Sequence, residues 1–476
     1  METLGSNVPG LDSLLNGGFI KGRMYLIRGE PGVGKSLLGA HFLKGGLDDG
    51  ETVLYIHGEE SKRDIVANLS EIGIDLTEAE FLDLGPDTDF FTQGTSYEIV
   101  DPADLEAEQI TTDIQEIIDD LNPTRVFLDP ITQIEYIETD EYQYRKRLLS
   151  LLRFLRERDM TVLATKTTSP SEDETFGGTN NAASISDGLI DLYRHEGGRR
   201  VTVPKHRGIG QSDRTHGLEI RQQGLEVYPQ IVPDLDRTAF DPYLVSSGND
   251  RLDSLLGGGI ESGTITFVNG PTGVGKSTLA IQLLTALGQR GATVGGYLFE
   301  ESAEQFCYRG DNLGYPLTDL HADGQVSLTE IEPLALSAEE FGQLVTGQVA
   351  DEGLEAVLID GIDGYQVSLQ GDRERLVRRL HALTRSLKHE GVTVFVTNEI
   401  DRMVGVQSVS DMNASYIADN IVYLTYVPGE HGLDRAIGVV KKRLGEFDSR
   451  FHYYTLKSGD GIEMGPPVEE MNAVIT

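Results

Sequence analysis

The chain has one cysteine, no tryptophan and barely half as many cations as anions: 40 Lys and Arg against 77 Asp and Glu in 476 residues, a formal net charge of −37. A lone Cys307 excludes an intrachain disulfide and fits a reducing interior, where it reads as a small core residue. The shortage of positive charge argues against nucleic acid as a partner, because phosphates are held by released counterions and clustered Lys and Arg. No apolar run approaches the roughly 20 residues that span a bilayer, and Met1 to Gly10 has neither a cationic nor an apolar leader region. The expectation is a cytoplasmic protein with no membrane partner. Self-repulsion at this charge is relieved by molar salt, where the Debye length is about 3 Å. A salt-loving, halophilic cytoplasm fits the composition, and an acidic mesophilic protein is the rival reading.

What is present is a duplicated phosphate-binding loop. Gly29-Glu30-Pro31-Gly32-Val33-Gly34-Lys35-Ser36 and Gly270-Pro271-Thr272-Gly273-Val274-Gly275-Lys276-Ser277 both satisfy G-x-x-x-x-G-K-[ST], 241 positions apart. In this pattern glycines let backbone N–H groups wrap phosphates, the lysine reaches the β and γ oxygens, and the serine hydroxyl holds Mg²⁺. The candidate nucleotide contacts are Gly29, Gly32, Val33, Gly34, Lys35 and Ser36 in one half. In the other they are Thr272, Gly273, Val274, Gly275, Lys276, Ser277 and Thr278. Apolar strands, Arg23 to Arg28 and Thr264 to Asn269, precede the loops, and helix-patterned segments follow them. Upstream, Leu11-Asp12-Ser13-Leu14-Leu15 recurs as Leu252-Asp253-Ser254-Leu255-Leu256 at the same offset.

Alternating strand and helix patterns in both halves predict two α/β domains with mostly parallel sheets, 1–234 and 235–476. The linker is expected between Tyr228 and Pro242, where Pro and Asp cluster without a period. Leucine stripes at 148, 151, 152 and 155 and at 376, 380, 383 and 387 read as core-facing. The Asp- and Thr-rich segment from Gly85 to Asp104 lengthens the first half and reads as a surface loop near the nucleotide.

Each half carries further candidates. Asp129 and Asp360 end apolar strands after the loop and read as Walker B acids for Mg²⁺, alongside Ser36 and Ser277 as metal-facing hydroxyls. The pairs Glu59-Glu60 and Glu300-Glu301 begin 24 residues beyond each loop lysine and read as the catalytic carboxylates that orient an attacking water. Adjacent glutamates are common in an acidic chain, but recurrence at one offset favours function. Lys205-His206-Arg207 and Lys441-Lys442-Arg443 end late strands. A solvated strand end is the plain reading of each. The functional one is a cationic finger in which Lys205, Arg207, Lys441 and Arg443 reach a neighbouring subunit's γ-phosphate.

With these motifs twice in one chain, the sequence resembles the KaiC family of double-ring RecA-like ATPases from Gly5 to about Glu463. The resemblance implies tandem RecA-like P-loop domains, ATP with Mg²⁺ between subunits, and a homo-hexamer of two stacked rings. In clock members the second domain phosphorylates a neighbouring Ser-Thr pair. The matching stretch here is Ser410-Asp411-Met412-Asn413-Ala414-Ser415-Tyr416, so Ser415 is the candidate phosphosite and Tyr416 replaces the Thr. A two-site cycle is not expected. Only a dozen residues follow Met464, fewer than the regulatory tail of clock members, and no circadian role is assigned. The leading expectation is a Mg²⁺-dependent ATPase and regulator with an unidentified protein partner, with serine autokinase activity at Ser415 as an added option. The alternatives are a nucleotide-gated signalling scaffold and a RecA-type DNA-dependent ATPase, the latter opposed by the charge.

Overall fold

A computed structural model describes residues 1–85, 102–132, 141–168, 181–195, 198–208, 212–233, 241–369, 373–400, 414–429 and 432–469. Most of the 85–104 insert and the stretch from Ser410 to Asn413 lie outside the described residues. The chain divides into two compact units, Met1–Gln230 and Ile231–Thr476.

In the first unit a short antiparallel pair, β1 (Thr3–Leu4) and β2 (Phe19–Ile20), precedes β3 (Met24–Gly29), β4 (Val53–His57), β5 (Glu80–Asp83), β6 (Arg125–Asp129) and β7 (Thr161–Thr167). Then come β8 (Gly188–His195), β9 (Gly198–His206), β10 (Ser212–Arg221) and β11 (Gly224–Tyr228). Nine strands form one sheet in the order β11-β10-β9-β8-β3-β7-β6-β4-β5. The strands from β8 to β5 are parallel, and β9 to β11 extend the sheet antiparallel.

The second unit repeats the plan. After β12 (Leu244–Val245) and β13 (Ile260–Glu261) come β14 (Ile265–Gly270), β15 (Val294–Leu298), β16 (Val326–Glu330), β17 (Ala356–Asp360) and β18 (Thr393–Glu399). They are followed by β19 (Asn420–Gly429), β20 (Gly432–Lys442), β21 (His452–Lys457) and β22 (Gly461–Pro467). Their sheet order, β16-β15-β17-β18-β14-β19-β20-β21-β22, is that of the first unit. These are tandem RecA-like α/β domains.

Near-continuous apolar runs form the central strands because both sheet faces are covered. Successive side chains alternate between two cores: Tyr25 and Ile27 enter one and Met24 and Leu26 the other, and Leu358 and Ile359 divide likewise. Each fully buried Leu, Ile or Phe contributes about 1.5–3 kcal/mol over an exposed one. The leucines at 376, 380, 383 and 387 are all buried, as are Leu148 and Leu155, while Leu151 is half-buried. The side chain of Leu152 lies outside the described set. Cys307 is a buried free thiol within the second unit's core.

This sheet order fixes the site. The first strand's neighbours lead to different sides of it, so β3 and β14 open at their C-terminal ends onto a crevice of the kind where open α/β sheets bind ligands.

Candidate functional site

Each phosphate loop turns from its strand directly into a helix, Lys35–Asp48 in the first unit and Lys276–Gly288 in the second. The turn needs left-handed backbone at the residue before the lysine: Gly34 has φ +115° and Gly275 φ +114°. A side chain is strained in that conformation. Val33 and Val274 are fully buried and anchor the loops from below. The helix N-terminus and its unpaired N–H groups then face the crevice, ready for an anion. Thr278 is buried in the first turn of the second helix.

Lys35 is buried, and its Nζ donates to the carbonyls of Gly29 and Glu30, both at 2.9 Å. Burial lowers its pKa, while Asp129 and Glu59 pull it back up. Asp129 ends β6; it accepts from Thr165 Oγ1 on β7, and from the Tyr55 hydroxyl on β4 at 3.0 Å. Burial, and then the Asp129 carboxylate, holds the Tyr55 phenol well above its ordinary pKa, so it stays protonated and donates. Ser36, Asp129, Glu59, Glu60, Tyr55 and Asn68 line one pocket of about 190 Å³. The structure therefore brings together the hydroxyl, the strand-end acid and both glutamates singled out in the first half.

The second site repeats this with changed chemistry. Asp360 is buried, accepts from Thr397 Oγ1 at 2.6 Å and is hydrogen-bonded by the Ser277 side chain. Burial raises its pKa against the opposing pull of Thr397, Arg309, Ser277 and Lys276. Lys276 Nζ donates to Pro271 O at 3.1 Å and lies 3.7 Å from Glu399 Oε2. Glu399 also accepts from Thr272 Oγ1. Glu300, exposed at its tip, has a raised pKa, from the partial loss of hydration first and then from Asp360 and Glu399. Glu301 is also raised by burial, and its ion pair with Arg309 opposes the shift.

A serine hydroxyl hydrogen-bonded to a carboxylate, as in Ser277 and Asp360, is a hard-oxygen donor set that fits Mg²⁺. Among the described residues no group of three His, Cys, Asp or Glu could hold a metal alone.

The Lys-x-Arg pairs stand elsewhere. Lys205 donates to Ala183 O at 2.8 Å and Arg207 lies 3.7 Å from Asp187. Lys441 donates to Ala418 O at 2.7 Å, and Arg443 bonds Tyr416 O at 3.1 Å and Asp419 at 3.4 Å. His206 pairs with Gly188, which pairs with Tyr25, near the start of the strand whose far end is Gly29. Four residues of strand, about 13 Å at 3.3 Å per residue, separate this edge from the phosphate loop. Lys442, Asn420 and Thr266 give the same placement in the second unit. Burial and the adjacent arginine lower the pKa of both Lys205 and Lys441. Ser415 lies in the short helix Ala414–Ile417, its side chain outside the described set.

Sequence reading missed Tyr55, Thr165, Thr397, Glu399 and Arg309. For the threonines a signal existed: each sits at the same point of the strand after the one that ends in Asp129 or Asp360, in both halves.

The loops, strand-end acids and glutamates on this sheet order define a tandem phosphate-loop nucleotide-binding protein. A family model described as "ATPase: KaiC" matches residues 4–232 and again 245–469, so the chain belongs to the KaiC ATPase family. Curated relatives agree. The circadian clock oscillator protein KaiC of Picosynechococcus sp. is 27% identical over 463 residues, covering 95% of this chain and 87% of its own. That of Thermostichus vulcanus is 27% identical over 460 residues, with 94% and 86% covered. The circadian clock protein KaiC3 of Synechocystis sp. is 24% identical over 490 residues, with 100% and 94% covered. No helix among the described residues is long and apolar enough to cross a membrane.

Proposed function

We propose that each unit binds ATP at its phosphate loop and hydrolyses it, with residues 1–234 and 235–476 as separate ATPase domains. The observation that carries this reading is the single pocket shared by Ser36, Asp129, Glu59 and Glu60 beside the loop lysine. Lys35 and Lys276 leave their loop carbonyls for the β and γ oxygens, and the helix N-terminus and loop amides hold the remaining phosphate charge. Mg²⁺, held by Ser36 and Asp129 or by Ser277 and Asp360, would neutralise charge on the phosphate oxygens. Glu59 with Glu60, or Glu300, accepts a proton from the attacking water. The water oxygen bonds to the γ-phosphorus as the bond to the bridging oxygen breaks, and ADP and inorganic phosphate leave.

The placement of Lys205, Arg207, Lys441 and Arg443 on the edge remote from their own loops supports a ring in which each pair serves the neighbour's nucleotide. A hexamer follows the family pattern. The relatives' clock names support a regulatory output to a protein partner, in a cytoplasmic and salt-rich setting suited to the charge. Autophosphorylation, if used, falls on Ser415 alone of the Ser-Tyr pair.

The test is phosphate release in molar KCl with Mg-ATP. Glu59→Gln with Glu60→Gln should abolish turnover at the first site and Glu300→Gln at the second. Undiminished release from the triple variant would overturn the catalytic assignment. Site-resolved mass spectrometry of the same samples reads Ser415.

A further inference from the structure

Arg309 is one charged position at which the two sites differ. Arg309 Nη2 donates to Glu301 Oε1 in a close ion pair, and the Arg309 guanidinium lies 5.5 Å from the Phe306 ring. Its Nε is buried with no hydrogen-bond partner among the described residues. At the same offset the first unit has Asn68, an uncharged amide lining the pocket with Glu59 and Glu60. Both first-unit glutamates are exposed to the pocket, whereas in the second Glu300 is exposed and the Glu301 side chain is only 19% accessible.

We infer that Arg309 is a positioning residue of the second site: by pairing with Glu301 it removes that carboxylate from proton transfer and leaves Glu300 as the single acceptor facing the attacking water. The inference rests on the hydrolytic reading above. Around Glu300 stand Asp360, Glu399 and Asp363 against Lys276, and around Glu301 stand Asp360 and Glu300 against Arg309. Without the guanidinium, five carboxylates would face one lysine where a triphosphate must enter. Arg309 therefore does two things with one contact: it fixes which glutamate acts, and it removes one negative charge from the path of the nucleotide. In the first unit Asn68 does neither, so both Glu59 and Glu60 remain available and the two sites work with different numbers of acceptors.

The experiment uses the full chain with the first site silenced by Glu59→Gln and Glu60→Gln. There, Glu300→Gln should lower kcat at least about 100-fold, within the range general bases supply, and Glu301→Gln should lower it far less. Arg309→Asn should lower kcat about tenfold and move the acid limb of its pH profile upward, because Glu301 becomes an unpaired charge beside Glu300. Adding Glu301→Gln to Arg309→Asn should restore both, and Arg309→Lys should hold them. Equal impairment of Arg309→Asn with and without Glu301→Gln would overturn the inference, since Arg309 would then act on the nucleotide or the fold. Carbodiimide labelling read by mass spectrometry is independent of turnover. Glu301 should be protected relative to Glu300 in the parent and react like it, with an upward-shifted pH midpoint, in Arg309→Asn. Equal labelling in the parent would sink the inference whatever the activity. Loss of all phosphate release in the silenced parent would instead count against hydrolysis at the second site, leaving the labelling to decide Arg309.

Discussion

The Tyr55 hydroxyl donates to Asp129 Oδ2 at 3.0 Å, and the residue at the matching place in the second unit is Gly296, which has no side chain to make such a bond. Asp129 therefore has two hydroxyl partners, Tyr55 and Thr165. Partners behind a metal ligand orient it, and their removal typically costs about 10- to 100-fold in metal affinity or activity. Tyr55→Phe, measured in a Glu300→Gln background, should raise the Mg²⁺ concentration for half-maximal phosphate release at least about tenfold. The same change measured on second-site turnover should do nothing.

Glu399 bonds Thr272 and lies 3.7 Å from Lys276, so a carboxylate already occupies the neighbourhood where the γ-phosphate would meet that lysine. The first unit has Thr167 at the same register and carries no such charge. Glu399→Gln keeps an acceptor for Thr272 and removes the repulsion. It should tighten ATP binding at the second site by about tenfold, or about 1.4 kcal/mol. Equilibrium binding of a fluorescent ATP analogue to the Lys35→Ala chain reads this, and unchanged affinity would show that Glu399 moves aside freely.

Much of the site was legible because its parts are contiguous or end a strand. A phosphate loop, a strand-end Asp and a Glu pair each sit in one short stretch, so spacing alone locates them. Tyr55 and Glu399 reach the site by strand adjacency, with β6 beside β4 and β14 beside β18, and that order has no local signature; Thr165 and Thr397 leave only the repeat of their place in β7 and β18. Of the antiparallel extensions, β9 and β20 are marked by the Lys-x-Arg pairs at their ends, whereas β10, β11, β21 and β22 carry no such marker, since their alternating patterns resemble those of any half-buried strand. Arg309 escaped notice because a helix brings it back to Glu301 from eight residues on, where one cation among many acids reads as a solvated charge.

Stability should fall in acid through His41. Its Nε2 accepts the Leu225 N–H at 2.9 Å, and burial lowers its pKa from 6.5 against a backbone bond to Asn7. The folded form thus binds fewer protons than the unfolded one below pH 6.5, so stability is intact above that value and declines as pH falls toward the depressed folded pKa. The slope from this group is at most about 1.4 kcal/mol per pH unit. Denaturant unfolding of the chain at pH 7.5, 6.5 and 5.5 should show the decline. His41→Gln, whose amide oxygen can accept from Leu225, should flatten it, and an unchanged slope would assign the acid sensitivity elsewhere.

The remote placement of the Lys-x-Arg pairs gives the sharpest test of assembly. If Arg443 serves its neighbour's nucleotide, a chain with Arg443→Ala keeps a sound phosphate loop but lacks what its neighbour needs, while a chain with Lys276→Ala has the reverse defect. In a background of Glu59→Gln and Glu60→Gln each should be at least about 100-fold impaired alone, in keeping with the 10³–10⁵ that such arginines can supply. Mixed and reassembled, the two should recover a substantial fraction of parental turnover, because some interfaces then pair an intact loop with an intact arginine. Arg443 also bonds Tyr416 O and Asp419 within its own chain, so a purely structural role would give a defect that mixing does not repair. Recovery on mixing therefore requires sites shared between chains, and its absence would return Arg443 to the role of a clamp on the helix that carries Ser415.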